Sequence, residues 1–396
     1  LRSKRTMLTI FVLSVLLMQT VSEKLKLERV IILSRHNVRS PLSEHLAEIT
    51  PRPWPHWDEK SGYLTPKGVY LEGLMGDFFS KWLRNEGLLP QGCPEKVDVF
   101  VYANSKQRTK VTARAFVLKA FPECNITVHV GDKSDPVFSP FVHNNTDTFK
   151  KEVLEDMQEV LDSLHLNASY ELLENILDYK DSDICKTNLK CDLETDINKI
   201  TEVTAGKKPT VSGPLKICNT AIDAFKMEYY NGFSVPNVAW GELNNSRWET
   251  LSKLTEGYHN VIFNSTMLAK DIALPLIKYM KDIFINKDTK FTLLMGHDAN
   301  ILTFVTGMRF KPYILPNQYE KAPIGGKIVF QKWSNSNEEY FLRIHYVYCS
   351  TNQLRLGSKL SLMKPPQFKV LELKDCPVNN EGFCPWDSFE KLLREF

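Results

Sequence analysis

The sequence predicts a three-layer α/β sandwich carrying a mostly α-helical inserted domain, and three observations lead there. Glu28–Ser34, Val97–Ala103 and Phe291–Gly296 are short apolar runs rich in β-branched and aromatic residues, the composition of strands buried on both faces. Helical periodicity follows: Leu71, Leu74, Met75, Phe78, Phe79 and Trp82 recur near one face of Pro66–Trp82, and Thr109–Ala120 is a second candidate. Strands alternating with helices argue for a sheet covered on its faces. The middle differs, because Thr148–Asp178 is polar with Phe149, Val153, Leu154, Met157, Val160, Leu161 and Leu164 at helical spacing, and Gly213–Tyr230 is helical again. From Lys327 the segments KIVFQKW and EEYFLRIHYVY return to strand, and the tail from Cys376 carries loops and a short helix. The expected organisation is a leader over 1–22, a first α/β part over 23–137, a helical insertion over 138–260 and a second α/β part over 261–396.

Charge excludes some partners. Lys and Arg number 50 against 47 Asp and Glu, a net charge of +3. That is too small for nucleic acid or an anionic membrane surface, so any anion site must come from a local cluster. Arg2, Lys4 and Arg5, the apolar run Leu8 to Met18, and Thr20-Val21-Ser22 read as a secretory signal peptide. The run is short for a bilayer span, an uncleaved anchor being the competing reading. After signal removal the chain is expected to be secreted, with no membrane contact. Eight cysteines fit export, and none shows CxxC spacing. Close pairs such as Cys185/Cys191 and Cys376/Cys384 suit loop disulfides, although spacing alone leaves the connectivity open. Sequons at Asn125, Asn144, Asn167, Asn244 and Asn264 make N-glycosylation an expectation for an exported chain.

Three motifs each follow a predicted buried strand: Ser34-Arg35-His36-Asn37-Val38-Arg39, Asn104-Ser105-Lys106-Gln107-Arg108-Thr109 and Gly296-His297-Asp298-Ala299-Asn300. Open α/β sheets bind ligands beyond the carboxyl ends of their strands. Three such ends would deliver three arginines, two histidines and an aspartate to one edge. Arg35, Arg39 and Arg108 are planar forks suited to phosphate oxygens. A histidine among them can attack phosphorus, and neighbouring cations favour its neutral, nucleophilic form. Asp298 can protonate the leaving alkoxide. No metal is needed, because the guanidinium groups supply the electrostatics, and no cofactor motif is present.

Each pattern has a plainer reading. RHxxR can be a solvated charge cluster, an HD pair a turn cap, and NSxxRT a helix start. Placement of all three after buried strands favours chemistry. His56 and His259 lie outside the motifs and read as structural or surface residues. Trp54, Pro55 and Trp57 read as loop packing, and Asp147, Glu152 and Glu155 as an exposed helical face.

With these motifs the sequence resembles the histidine acid phosphatase family, whose hallmarks are RHxxR, here Arg35–Arg39, and HD, here His297–Asp298. The resemblance is greatest to its bacterial periplasmic glucose-1-phosphatase and phytase-like branch and runs through SRHNVRSPL, LTPKG, YANSKQRT, VSGPLK, GHDAN and PIGGKIVFQKW. It implies the histidine phosphatase fold, a nucleophile at His36, phosphate binding by Arg35, Arg39, Arg108 and His297, and a proton donor at Asp298. It further implies disulfides Cys93–Cys124, Cys185–Cys191 and Cys376–Cys384. Cys218 and Cys349 have no counterpart, and either pair with each other or stay free. Lys208 departs from the family pattern, which has an acidic residue there near the site's mouth. The expected function is a secreted acid phosphomonoesterase acting on glucose 1-phosphate, other sugar phosphates or phytate through a phosphohistidine. The alternative is a non-catalytic phosphate-binding effector on the same fold.

Overall fold

The computed structural model describes residues 25–187, 191–200 and 203–396. The expected leader lies outside the described residues. Strand β1 (Lys26–Arg35) alternates between two cores, Val30 and Ile32 facing one and Ile31 and Leu33 the other. Helix α1 (Pro66–Asn85) starts where Thr65 Oγ1 accepts the Gly68 N–H at 3.0 Å, with Pro66 at the first helical position. β2 (Val99–Ala103), α2 (Gln107–Ala120) and β3 (Val128–Val130) follow. β2 is shorter than the sequence suggests, because Lys96–Asp98 close into a 3₁₀ turn.

The middle is helical: α3 (Asp147–Asp162), α4 (Asn167–Leu177), α5 (Asp183–Lys186), a small β4 (Lys199–Ile200) and β5 (Val211–Ser212) pair, then α6 (Pro214–Asn231) and α7 (Asn245–Phe263). The periodic stretch Thr148–Asp178 is two helices, not one. The chain leaves the helix after Asp162 and turns through Leu166, so that α3 and α4 can both lie against α7. The remainder is α8 (Thr266–Asn286), β6 (Phe291–Gly296), α9 (Asp298–Gly307), β7 (Lys327–Ser334), β8 (Tyr340–Tyr348), α10 (Thr351–Leu356), β9 (Gln367–Leu371), β10 (Phe383–Pro385) and α11 (Trp386–Leu393).

One sheet runs β10-β8-β7-β1-β6-β2-β3, with β9 also on β8. β1, β6, β2 and β3 are parallel, and β7 and β8 continue antiparallel. Side chains from α1 and α2, among them Phe78, Phe79 and Phe116, pack on one face with Val30, Ile32, Val101 and Leu293. Leu276, Ile277, Phe304 and Phe389 from α8, α9 and α11 pack on the other with Ile31, Leu33 and Leu294. A separate core is almost wholly helical, built on Phe149, Leu173, Leu215, Phe225, Leu251 and Ile262.

Register brings the three motifs together. Arg35 pairs with Gly296 across β1 and β6, and Ala103 pairs with Met295 across β2 and β6. Residues 36, 297 and 104 therefore leave the sheet side by side. Disulfides join Cys93 to Cys124, Cys185 to Cys191 and Cys376 to Cys384, with Cα separations of 5.5, 5.2 and 5.7 Å. Cys218 is buried in the helical core and Cys349 in the α1/α2 core, and both are free thiols. No described helix is long and apolar enough to cross a membrane.

Candidate active site

The segment after β1 is gripped by its neighbours. Arg35 N donates to Gly326 O at 2.9 Å, His36 N to Gly296 O at 3.0 Å, and Gly325 N to His36 O at 3.1 Å. Beneath it lies a buried polar network. Asn37 Nδ2 donates to Glu72 Oε2 at 3.0 Å, and Lys327 Nζ donates to Glu72 Oε1 at 2.8 Å and Ser34 Oγ at 2.9 Å. Gly325 has φ +65°, and a Cβ there would stand 2.6 Å from Asn37 Nδ2. Only glycine permits both the conformation and the approach.

His36 is buried, with Nδ1 2.9 Å from the Asn37 carbonyl oxygen. A carbonyl can only accept, so in the neutral ring the proton sits on Nδ1 and the lone pair on Nε2. Burial, then the charges of Arg108, His297, Arg39 and Arg35, hold the imidazole well below the usual histidine range. His297 is held down by burial and Arg108, against Asp298. Its Nε2 lies 2.9 Å from Asn104 Oδ1, and the two histidine rings meet edge-on at 5.5 Å between centroids.

The arginines are held from the far side. Arg35 reaches Asp298 at 3.1 Å and Glu320 at 3.0 Å and donates to the Ala322 carbonyl. Arg39 makes a two-pronged pair with Asp223 at 2.8 and 2.9 Å. Arg108 forms no ion pair among the described residues, and burial and the nearby Arg39 push its guanidinium down to about 10. The Nε groups of Arg35, Arg39 and Arg108 are all buried without a partner among the described residues. Buried orphan donors on three arginines whose charges all act on His36 are what a tetrahedral oxyanion would satisfy, since an unpaired buried donor carries a desolvation cost of about 1–3 kcal/mol. Burial pushes Asp298 up, but Arg35, His259 and His36 outweigh it and keep the carboxylate well below its usual range.

Arg35, Arg39 and Asp298 open into a cavity of about 330 Å³ that Lys208, Lys216 and Asp223 also line, while His36, Arg108 and His297 are not among its lining residues. Lys208 does stand on this wall, its Nζ 5.0 Å from the Phe263 ring centroid. Several residues here escaped the sequence reading: Asp223, which holds Arg39; Glu320, which holds Arg35; and Lys216 and Lys226 on the wall. None belongs to a local motif. The one signal was the spacing of Lys216, Asn219, Asp223 and Lys226 along α6. His259 corrects an expectation. In the sequence it reads as a structural or surface residue outside the motifs, but from α7 it lines the cavity with Asp298. His56 is exposed beside Asp58. Asp147, Glu152 and Glu155 are exposed, and Trp54 packs on Phe225 and Trp240. Among the described residues, no cluster of three or more His, Cys, Asp or Glu could hold a metal ion. Asn125, Asn167, Asn244 and Asn264 are exposed, and Asn144 is half-buried with Oδ1 accepting from Thr146.

Comparison with known proteins agrees with this geometry. Glucose-1-phosphatase of Salmonella typhimurium is 42% identical over 387 residues, 95% of this chain and 94% of that protein. Phytase AppA of Escherichia coli is 28% identical over 94% of this chain and 92% of its own length. The apo phytase of Hafnia alvei superposes with a TM-score of 0.86 at 28% identity, covering 94% of this chain and 97% of that one. The family model of the histidine phosphatase superfamily, branch 2, matches residues 26–347. With its RHxxR segment, arginine cluster and HD pair brought to one sheet edge, this chain belongs to the histidine phosphatase superfamily, branch 2.

Proposed function

We propose that the chain is an exported acid phosphatase that hydrolyses small sugar-phosphate and inositol-phosphate monoesters through a phosphohistidine at His36. The carrying observation is the set of three orphan guanidinium Nε donors around a neutral His36 whose Nε2 holds the lone pair. The names of the relatives, glucose-1-phosphatase and phytase, support the substrate class.

In the first step Nε2 attacks phosphorus while Arg35, Arg39 and Arg108 hold the non-bridging oxygens. The N–P bond forms, the ester P–O bond breaks, and the leaving oxygen takes a proton from Asp298. In the empty site Asp298 is ionised against Arg35 at 3.1 Å. A bound phosphate competes for that guanidinium and adds negative charge beside the carboxylate, so Asp298 takes up a proton and acidic pH is favoured. In the second step water attacks phosphorus, the N–P bond breaks, and Asp298 accepts the water proton. Asp223 and Glu320 act as positioning residues for Arg39 and Arg35. The negative charge of a bound phosphate favours protonation of His297, whose second ring N–H then holds a phosphate oxygen while Nε2–H stays on Asn104 Oδ1. Lys208 and Lys216 draw in substrates with further negative charge.

The leader-like residues 1–22, the three disulfides and the sequons support export and N-glycosylation at Asn125, Asn144, Asn167, Asn244 and Asn264. The separate helical core supports a division into 23–137, 138–260 and 261–396, with the cavity between the α/β and helical parts.

Acid quench during turnover of labelled substrate tests the mechanism. An acid-labile, base-stable adduct is expected in the wild type and not in His36→Ala. An adduct that persists in the variant overturns the assignment. Tight phosphate binding with neither adduct nor turnover would instead favour the non-catalytic effector.

A further inference from the structure

A second cavity of about 410 Å³ adjoins the catalytic one. Lys226, Thr255, His259, Phe263 and Glu320 line both. The new space lies between α7, α9 and the loop before β7, and nothing in the two-step reaction uses it. Its volume is within the roughly 300–1,000 Å³ usual for small-molecule sites.

Its chemistry differs from that of the catalytic cavity. Four of the five cations that line it are matched: Lys226 with Glu320 at 3.6 Å, Arg309 with Asp375 at 2.7 Å, Lys311 with Glu372 at 2.7 Å and Lys321 with Glu256 at 2.7 Å, while the exposed Lys374 forms no ion pair among the described residues. It therefore lacks the cluster of buried guanidinium groups that suits the catalytic cavity to phosphate. Two buried polar atoms at the junction, Glu320 Oε1 and Thr255 Oγ1, have no partner among the described residues. Both side chains are more than nine-tenths buried, at 7% and 8% exposure. A carboxylate oxygen calls for a donor, and a threonine hydroxyl can give or receive. Asn260 adds an amide and Thr306 a hydroxyl oxygen, and Phe263 and Tyr319 add ring surface. A neutral ligand dense in hydroxyls, with a flat apolar face, satisfies all of this. A hydrocarbon would leave Glu320 Oε1 unpaired.

We propose that this cavity is a sugar chamber that receives the unphosphorylated glycosyl extension of a phosphorylated disaccharide or longer saccharide while the phosphate occupies the catalytic cavity. The assignment rests on the phosphatase reading. Glu320 links the two sites: Oε2 holds Arg35, and Oε1 accepts a hydroxyl of the second sugar. The preferred alcohol is thus larger than a single hexose.

Equilibrium binding tests it without turnover. In the His36→Ala protein, maltose 1-phosphate should bind at least about tenfold more tightly than glucose 1-phosphate. Adding Asn260→Trp, which fills the chamber, should remove that difference and leave glucose 1-phosphate binding unchanged. Thr255→Val, which keeps shape but removes the hydroxyl, should reduce the difference severalfold. Equal affinities for the two esters, or an equal loss for both in the Trp variant, would overturn the chamber. Free maltose that binds without competing with maltose 1-phosphate would make this a separate saccharide site and overturn the extension. Failure of the wild type to turn over glucose 1-phosphate would count against the phosphatase reading alone.

Discussion

The phosphate cavity has two walls built differently. The sheet edge is over-determined. His36 is fixed by backbone bonds to the ends of β6 and β7, and below it Asn37, Glu72, Lys327 and Ser34 form a closed buried network. The helical wall is looser. Lys208 is exposed against Phe263, and Lys216 rests 3.4 Å from the Tyr258 hydroxyl. The contrast shows where each kind of work is done. Bond making needs atoms held to fractions of an ångström, which buried hydrogen-bonded backbone supplies. Selecting among anions needs only a field, which mobile surface charge supplies.

Four substitutions test this division, starting with the largest expected effect. Asp298→Asn should slow esters with poor leaving groups by on the order of 10²–10⁴-fold, and activated aryl esters far less. Equal losses on both would move general acid catalysis away from this wall. Lys327→Met leaves Glu72 buried without its cation, and breaking such a pair costs about 3–5 kcal/mol. Chemical denaturation should show that loss, together with lower turnover. A loss under 1 kcal/mol would mean that the sheet edge is not held by this network.

The third test concerns acid stability. Burial holds His259 down to about 4 against its ordinary 6.5, with Asp298 opposing and Lys226 and Lys208 assisting. Between pH 6.5 and about 4 the unfolded chain binds a proton that the folded imidazole refuses. Stability therefore falls as pH drops through that window, and this share stops growing below it. His36 and His297 act in the same direction. His259→Gln should flatten the decline of Tm across the window, as followed by scanning fluorimetry. Parallel curves would remove His259 from the acid response.

The smallest effect belongs to Lys208→Glu. An exposed charge is worth a fraction of a kcal/mol to about 1 kcal/mol and is screened by salt. The ratio of kcat/KM for phytate to that for glucose 1-phosphate should fall severalfold at low salt and less at high salt. A ratio that does not move would take selectivity away from the helical wall.

The sequence by itself determined the sheet-edge motifs and the strands that carry them. The runs ending at Ser34, Ala103 and Gly296 carry the strand signal in consecutive residues, and each hands directly to its motif, so local order encodes both element and function. The disulfide partners followed from resemblance. The tertiary structure alone decided the register that sets Arg35 beside Gly296 and Ala103 beside Met295, the split of α3 from α4, and the pairing of β9 with β8. It also decided the helical wall. Asp223, Lys226, His259 and Glu320 come from α6, α7 and the loop before β7; the spacing of Asp223 and Lys226 along α6 is the only local pattern among them, and it does not say what that face meets. Their meaning arises from partners far along the chain, as when Asp223 grips Arg39 across 184 positions of sequence. Periodicity reports which face of a helix is apolar, but the charge that faces a polar side chain is set by packing between elements, and no local window contains it.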